Sequence, residues 1–208
     1  MKNLKPFLLI IAVALVSAFT PLNNGSTVIN NGYKVGDIAT DFSLKNIDDT
    51  MVSLANYKKA KGFIIIFTCN TCPVSVRNEH RIIALDKKYK HLGFPVIAIN
   101  PNNPAVQPGD SFKLMKVRAK EKGFMFPYLF DDGQKVFPKF GASATPHVYI
   151  LQKEKEGLRV KYIGGIDDSS RNASSVKIKY VENAVDALLK GKPVEVSYTR
   201  AIGCSIKI

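Results

Sequence analysis

Two uninterrupted apolar runs lie in the middle of the chain, at residues 62–67 and 95–100. Because neither run alternates with polar residues, each predicts a strand that is buried on both faces of a sheet. Shorter apolar runs at 128–130, 147–151 and 158–163 predict three further strands. A charged turn joins the last two of these into an antiparallel pair.

Apolar residues recur at helical spacing in the segments between and after these strands. The predicted helices cover residues 73–90, 110–121, 134–140 and 173–190. Asp110 and Ser111 are residue types that cap the second of them. The core-facing stripe of the last helix consists of Val181, Ala184, Val185 and Leu188.

Residues 36–44 and 51–54 predict a β-hairpin around a turn at 46–49. The strands that follow alternate with helices, and the antiparallel pair comes last before the final helix. This order predicts an α/β fold, with a mixed central β-sheet flanked by helices and an N-terminal β-hairpin extension.

The first residues have the pattern of a secretory signal peptide. Lys2 and Lys5 precede an apolar run at 7–16, and small residues follow at 17–18. The run is shorter than the roughly 20 residues that a membrane-spanning helix needs. We therefore expect cleavage of residues 1–19, no membrane span afterwards, and an exported protein that is periplasmic or secreted. An uncleaved membrane anchor is the alternative.

Three segments follow the expected cleavage site. Residues 20–34 are rich in Asn, Gly and Ser and predict a flexible leader. Residues 35–192 predict a single domain, because no internal repeat or interdomain linker interrupts them. Residues 193–208 form a tail that is long enough to pack back onto this domain.

The full chain is basic, with a formal net charge of +13, and loss of Lys2 and Lys5 with the signal lowers this to +11. A charge of this sign suits nucleic acid or an anionic membrane surface. The lysines are scattered, however, and the chain has no DNA- or RNA-binding motif. We therefore expect a basic solvated surface and no nucleic-acid partner.

The chain has three cysteines, and Cys69 and Cys72 form a Cys-x-x-Cys motif directly after a predicted buried strand. This spacing favours redox chemistry or half of a metal site over a structural disulfide. Pro73 allows a helix to begin at the motif, and the positive end of a helix stabilises a thiolate. We expect Cys69 to be the more exposed thiol, with a lowered pKa, and to attack a substrate disulfide. Cys72 would then resolve the mixed disulfide.

Six short motifs are shared with a known family: Gly36-x-x-Ala39-x-Asp41-Phe42, Cys69-Asn70-Thr71-Cys72-Pro73, Ala98-Ile99-Asn100, Phe126-Pro127-Tyr128, Ala144-Thr145-Pro146-His147-Val148 and Ala201-Ile202-Gly203-Cys204-Ser205. Over roughly residues 35–208 the chain resembles the thioredoxin superfamily. More closely, it is similar to the peroxiredoxin-like redoxins of the alkyl hydroperoxide reductase/thiol-specific antioxidant group.

This resemblance implies a thioredoxin-like fold in which Pro146 is cis and faces the Cys-x-x-Cys motif. It also implies that the backbone of Thr145 pairs with an incoming substrate chain. We expect Asn70 and Thr71, between the cysteines, to complete the substrate-binding residues. The resemblance implies no organic cofactor and no metal.

The chain departs from the family pattern at two positions. Thr40 stands where redoxins often have proline. True peroxiredoxins carry a T-x-x-C pattern whose threonine helps to orient peroxide, and the matching first position here is Cys69. A peroxide site thereby becomes a dithiol site. If peroxide is reduced, the matching cysteine is Cys72.

Several chemistry-bearing residues have more than one interpretation. Cys204 is a resolving thiol, a partner for another chain, or an idle free thiol. His147 is interpreted as a packing or hydrogen-bonding residue, with copper binding beside the two motif cysteines as the alternative. A zinc site lacks its remaining ligands, because no second Cys-x-x-Cys occurs. No general base is assigned, since the nearest acid, Glu79, suits a solvated helix face.

The sequence therefore predicts a thiol–disulfide oxidoreductase of the cell envelope. Its expected partners are disulfide-containing or dithiol proteins and small-molecule disulfides, and we expect a monomer or weak dimer. A thiol-dependent hydroperoxide reductase with an antioxidant role is the first alternative. A redoxin-fold copper-binding protein is the second.

Overall fold

The computed structural model describes residues 1–2 and 32–208. Nearly all of the predicted signal peptide, and the predicted leader up to residue 31, lie outside the described residues. No helix within the described part of the chain has the length and apolar character needed to span a membrane.

A mixed eight-stranded sheet forms the centre of the fold, in the order β1-β9-β8-β4-β5-β6-β2-β3. Its central strands β4, β5 and β6 are parallel to one another, and the remaining pairs are antiparallel. A separate two-stranded sheet pairs β10 with β7. The strands are Ile38–Ala39 (β1), Ser43–Asn46 (β2), Met51–Ser53 (β3), Gly62–Phe67 (β4), Val96–Asn100 (β5), Tyr128–Phe130 (β6), Ala144–Thr145 (β7), His147–Glu154 (β8), Gly157–Gly164 (β9) and Cys204–Ser205 (β10).

The hydrophobic core has two layers, one on each face of the sheet. In β4, Ile64 and Ile66 point to a layer covered by α1, α2 and α4, while Phe63, Ile65 and Phe67 point to a layer covered by α3 and the N-terminal hairpin. Because both faces are covered, β4 is apolar throughout, as its sequence predicts. The helices are Pro73–Tyr89 (α1), Phe112–Lys122 (α2), Phe137–Phe140 (α3) and Tyr180–Leu189 (α4).

The predicted α/β fold with a mixed sheet and an N-terminal hairpin is confirmed, but three predicted elements are too long. The stretch 36–44 divides at Asp41, whose carboxylate accepts the backbone N–H groups of Phe42, Leu54 and Ala55 and turns the chain. The hairpin consequently contains only β2 and β3, and β1 pairs with β9.

The other two differences concern helix starts. The predicted helix over 134–140 begins at Phe137, because the Asp131 carboxylate holds the amides of Lys135 to Phe137 in the preceding turn. The helix predicted over 173–190 begins at Tyr180, where the buried apolar stripe starts. Upstream, Asn172 caps a separate short 3-10 turn at Ala173–Ser175.

Candidate active site

The Cys-x-x-Cys motif forms the connection between β4 and α1. Pro73 occupies the first position of α1, and Cys72 is the N-cap residue. Proline at this position removes no helical hydrogen bond, because the first amides of a helix have no acceptor within it. Cys72 therefore lies at the positive end of a 17-residue helix.

Both motif cysteines are buried, each with 3% of its surface exposed. Cys69 Sγ lies 3.3 Å from the Thr145 hydroxyl oxygen, and Cys72 Sγ lies 3.2 Å from the Thr145 carbonyl oxygen. Thr145 thus contacts both sulfurs, one through its side chain and one through its backbone.

The pKa values of the two thiols are shifted in opposite directions. The hydrogen bond between the thiols and the burial of the site raise the pKa of Cys69. The same hydrogen bond lowers the pKa of Cys72 to about 4, and burial opposes this shift. Hydrogen bonds from Cys204 and from the Ser75 amide in the first turn of α1 lower it further. These shifts favour ionisation of Cys72 over ionisation of Cys69.

This arrangement corrects two expectations for Cys69. Cys69 was expected to be the more exposed thiol with a lowered pKa, but it is as buried as Cys72 and its pKa is raised. The hydrogen bond with Cys72 and burial raise the pKa of Cys69. The helix α1 begins only after the second cysteine, and Pro73 marks this start in the sequence.

The Thr145–Pro146 peptide bond is cis, as the resemblance predicts. Thr145 is fully buried in β7, whose edge pairs antiparallel with β10, with Thr145 opposite Cys204 and Ala144 opposite Ser205. The backbone edge expected to receive a substrate chain therefore carries the C-terminal tail of the same molecule.

This strand pairing brings the third cysteine to the motif. Cys204 Sγ lies 2.6 Å from Cys72 Sγ, so the third cysteine is a direct neighbour of the motif. Cys204 is partly exposed, in contrast to the two buried thiols. Among the interpretations left open by the sequence, a resolving thiol requires a position of this kind next to the motif.

A fully buried carboxylate lies beneath the motif. Asp110 accepts hydrogen bonds from the backbone amides of Asn70 and Thr71, at 2.7 and 3.2 Å, and from the Thr71 hydroxyl at 2.9 Å. The side-chain amide of Asn102 donates to the same carboxylate at 2.6 Å. Asp110 thereby holds both residues between the cysteines in place.

The Asn70 side chain completes this internal network. Its amide donates to the Gly109 carbonyl, and its carbonyl accepts from the Tyr128 hydroxyl, both at 3.0 Å. A side chain at position 109 would collide with Thr71, so Gly109 permits the close approach of the two loops. Asn70 and Thr71 are the residues predicted to contact substrate, and their side chains form these hydrogen bonds within the site.

Asp110 is the site residue that the sequence analysis missed, because it was assigned to the cap of α2. Ser111 is the N-cap of that helix and makes no side-chain cap hydrogen bond. The two loops meet because β4 and β5 are parallel neighbours, and the segments after parallel strands lie at the same edge of a sheet. The order of these strands in the sheet would have predicted this contact.

The remaining candidates lie apart from the three thiols. Glu79 is paired with Arg118 on α2 through two hydrogen bonds of 2.6 and 3.0 Å. His147 is buried, accepts the Ser143 amide at 3.3 Å and stacks near Tyr149. Burial lowers the pKa of His147 to about 4. Within residues 1–2 and 32–208, no group of three His, Cys, Asp or Glu side chains is arranged to hold a metal ion.

Comparison with known proteins shows similarity over most of the predicted domain. Residues 35–160 match the AhpC/TSA family. Among curated proteins, the thiol-disulfide oxidoreductase ResA of Halalkalibacterium halodurans is 25% identical over 136 residues, which cover 65% of this chain and 72% of that protein.

Two crystal structures resemble the whole fold. An uncharacterized conserved protein from Geobacillus kaustophilus is 37% identical with a TM-score of 0.78, over 86% of this chain and 94% of that one. A hypothetical protein from Sinorhizobium meliloti 1021 is 32% identical, also with a TM-score of 0.78, over 85% of this chain and 95% of that one.

Proposed function

Because this chain belongs to the AhpC/TSA family, we propose that it is a thiol–disulfide oxidoreductase whose redox pair is Cys69 and Cys72. The chain is an oxidoreductase with a thioredoxin-like fold, and its similarity to a protein named ResA supports this chemistry. Its substrates are disulfide-containing or dithiol proteins, together with small-molecule disulfides.

The observation that carries the proposal is that Thr145 contacts both sulfurs of the motif at the start of α1, where the pKa of Cys72 is lowered to about 4. A thiolate is the form of cysteine that attacks disulfides. The lowered pKa of Cys72 favours its thiolate, and the raised pKa of Cys69 favours its neutral thiol.

The proposed order of attack is the reverse of the order expected from the sequence. The Cys72 thiolate attacks one sulfur of a substrate disulfide, and the other substrate sulfur leaves as a thiolate. Cys69 then loses its proton and attacks Cys72, which forms the Cys69–Cys72 disulfide and releases the second substrate thiol. The substrate gains two electrons and two protons, and the protein loses them.

The reduction of insulin disulfides in the presence of a dithiol reductant tests this function. We expect Cys69→Ser and Cys72→Ser each to lose turnover, while both retain the circular dichroism spectrum of the native protein. Native activity in either variant would rule out the Cys69–Cys72 mechanism.

The order of attack has a separate test in a Cys204→Ser background, where the third thiol cannot interfere. With Cys69→Ser added, a disulfide substrate should accumulate as a stable adduct on Cys72, because the resolving thiol is missing. Peptide mapping of the matched Cys72→Ser protein should show no comparable adduct. An adduct on Cys69 instead would restore the order expected from the sequence.

A second function is favoured by the same Cys72 thiolate. Cys72 matches the reactive cysteine of the T-x-x-C pattern, and a low pKa also promotes attack on a peroxide oxygen. We expect stopped-flow mixing with hydrogen peroxide to oxidise Cys72 faster than free cysteine. A rate no greater than that of free cysteine would eliminate the peroxidase.

The proposed cell-envelope location is supported by the basic and apolar pattern of residues 1–19. Expression of the full chain in a bacterium, followed by intact-mass analysis of the protein from the envelope fraction, tests it. We expect a polypeptide that lacks about the first 19 residues. Retention of the full-length chain in the cytoplasm would contradict it.

A further inference from the structure

We propose that the C-terminal tail is a built-in substrate of this site: it docks on β7 as a strand, and Cys204 exchanges disulfide bonds with Cys72. This inference rests on the proposed redox function of Cys72 and adds a third reacting thiol to it. It also identifies the β7 edge as the place where an extended cysteine-containing segment is held.

The first support is the way in which the tail reaches the motif. β10 pairs antiparallel with β7, which places Cys204 opposite Thr145, and the Thr145 carbonyl also contacts Cys72. A side chain at position 203 would collide with the Thr145 backbone, so Gly203 lets the tail approach closely. The pairing of β10 with β7 therefore places the Cys204 sulfur next to the Cys72 sulfur.

The second support is that the tail is anchored on both sides of Cys204. Before it, the Thr199 hydroxyl is hydrogen-bonded to the Tyr162 hydroxyl at 2.7 Å. After it, the Lys207 backbone amide donates to the side chain of Asn102 at 2.9 Å, and Ile206 is buried in the core. These anchors hold Cys204 at the site without any covalent bond.

The third support is the geometry of the sulfurs. Cys204 Sγ is 2.6 Å from Cys72 Sγ, and a disulfide bond is about 2.04 Å long. Thr145 contacts Cys69 through its hydroxyl and Cys72 through its carbonyl, and it lies opposite Cys204 in the strand pair. The three sulfurs therefore surround one residue, and thiol–disulfide exchange needs such an approach of an attacking sulfur to a disulfide.

The exchange conserves atoms and electrons. In the oxidised protein, the Cys204 thiolate attacks Cys72, the Cys72–Cys204 bond forms and the Cys69–Cys72 bond breaks. The electron pair of the broken bond goes to Cys69, which takes up the proton that Cys204 lost. The reverse attack by Cys69 regenerates the original disulfide, so no external oxidant or reductant is consumed.

The exchange changes what the β7 edge can bind. While Cys72 is bonded to Cys204, the tail is tied across β7, and an external strand cannot pair there. When the disulfide lies between Cys69 and Cys72, only non-covalent contacts hold the tail, so an extended substrate can displace it. Internal and external strands therefore compete for the same edge.

The test uses the full-length Cys69→Ser protein, which retains Cys72 and Cys204, treated with oxidised glutathione. Glutathione first forms a mixed disulfide on Cys72, and Cys204 then displaces it. We expect a monomer that is lighter by two hydrogens, with a Cys72–Cys204 crosslink in the peptide map. The matched Cys69→Ser/Cys204→Ser protein should stop at the glutathione adduct on Cys72.

Two outcomes would overturn the inference. One is a Cys69→Ser protein that also stops at the glutathione adduct, because Cys204 would then not reach Cys72. The other is a Cys69→Ser protein that stays reduced under conditions in which the native protein is oxidised. Insulin reduction is measured separately on the native protein. If the crosslink forms but the native protein reduces no insulin, the proposed function fails while the exchange stands.

Docking of β10 on β7 is tested with a variant that retains both cysteines of the test protein. Adding Gly203→Ala to Cys69→Ser pushes β10 away from Thr145, so formation of the Cys72–Cys204 crosslink should slow severalfold. Adding Ile202→Ala, at the adjacent position with 56% exposure, is the control and should leave the rate unchanged. An equal rate with Gly203→Ala would refute docking through β7.

Discussion

At the scale of single residues, the surroundings of two buried cysteines set their chemistry. The pKa of Cys72, at the N-terminus of α1, is lowered by its hydrogen bonds with Cys69, Cys204 and the Ser75 amide, whereas the pKa of Cys69 is raised by its hydrogen bond with Cys72 and by burial. Donors stabilise the charged form of a thiol, and donation by the thiol itself stabilises the neutral form. The two residues therefore differ in pKa although their exposed fractions are equal.

Replacement of Cys69 by alanine tests the largest contribution to the lowered pKa of Cys72. In Cys69→Ala, the Cys72 thiolate loses its main hydrogen-bond donor, so its pKa should rise from about 4 toward the ordinary value. Thiolate absorbance in the ultraviolet, followed against pH, measures this shift. Cys204→Ala serves as the comparison and should raise the pKa by less. An unmoved midpoint in Cys69→Ala would contradict this dependence of the Cys72 pKa on Cys69.

Asp110 supports the loop between the cysteines from below. Asp110→Asn replaces one acceptor oxygen by a donor that faces other donors, so buried hydrogen bonds are lost. We expect the free energy of unfolding to fall by about 3 kcal/mol, with a lower rate of insulin reduction. Denaturant unfolding measures the first effect. The control is Asp132→Asn at an exposed position, which should change neither quantity.

At the scale of elements, α1 joins the site to the core. Its first turn stabilises Cys72, and farther along it Ile82, Leu85 and Tyr89 are buried on one face against the sheet. The helical spacing of these apolar residues made the helix predictable. Packing of this face keeps the N-terminus of the helix directed at the thiols.

Loss of packing in α1 should therefore reduce stability without altering the site directly. Ile82, which is 1% exposed, is the suitable position, and Ile82→Ala should lower the free energy of unfolding by about 3 kcal/mol. His80→Ala, at an exposed position of the same helix, is the control. A native unfolding midpoint for Ile82→Ala in a denaturant titration would show that the helix packs differently.

At the scale of the whole molecule, two core layers cover both faces of one sheet, and the tail returns across one edge of the site. His147 is buried in its neutral form as part of this packing. The free energy of unfolding therefore depends on pH. The pKa of His147 is about 4 in the folded protein, below its ordinary value of 6.5. The unfolded chain therefore binds a proton in this pH range that the folded protein does not.

The free energy of unfolding should fall as the pH decreases from about 6.5 to about 4. The contribution of His147 is complete above about pH 6.5 and is lost toward about pH 4, and between about pH 7 and pH 5 the loss is about 2 kcal/mol. Denaturant unfolding at the two pH values, compared with the same measurement for His147→Gln, isolates this residue. The Gln variant should lose less stability on acidification. His91→Gln, at an exposed histidine, should behave like the native protein.

The sequence by itself determined the α/β fold, the apolar strands β4 and β5, the face of α1 and the Cys-x-x-Cys motif before a helix. Hydrophobic spacing and residues such as Pro73 act over a few neighbours, so they are readable along the chain. Only the tertiary structure decided that Asp110 supports the motif and that the Cys204 sulfur is next to the Cys72 sulfur. Parallel strand order and the pairing of β10 with β7 create these contacts across 40 and 132 residues of chain. Local sequence patterns do not predict contacts between residues so far apart along the chain, because such contacts depend on where the two segments meet in the folded structure.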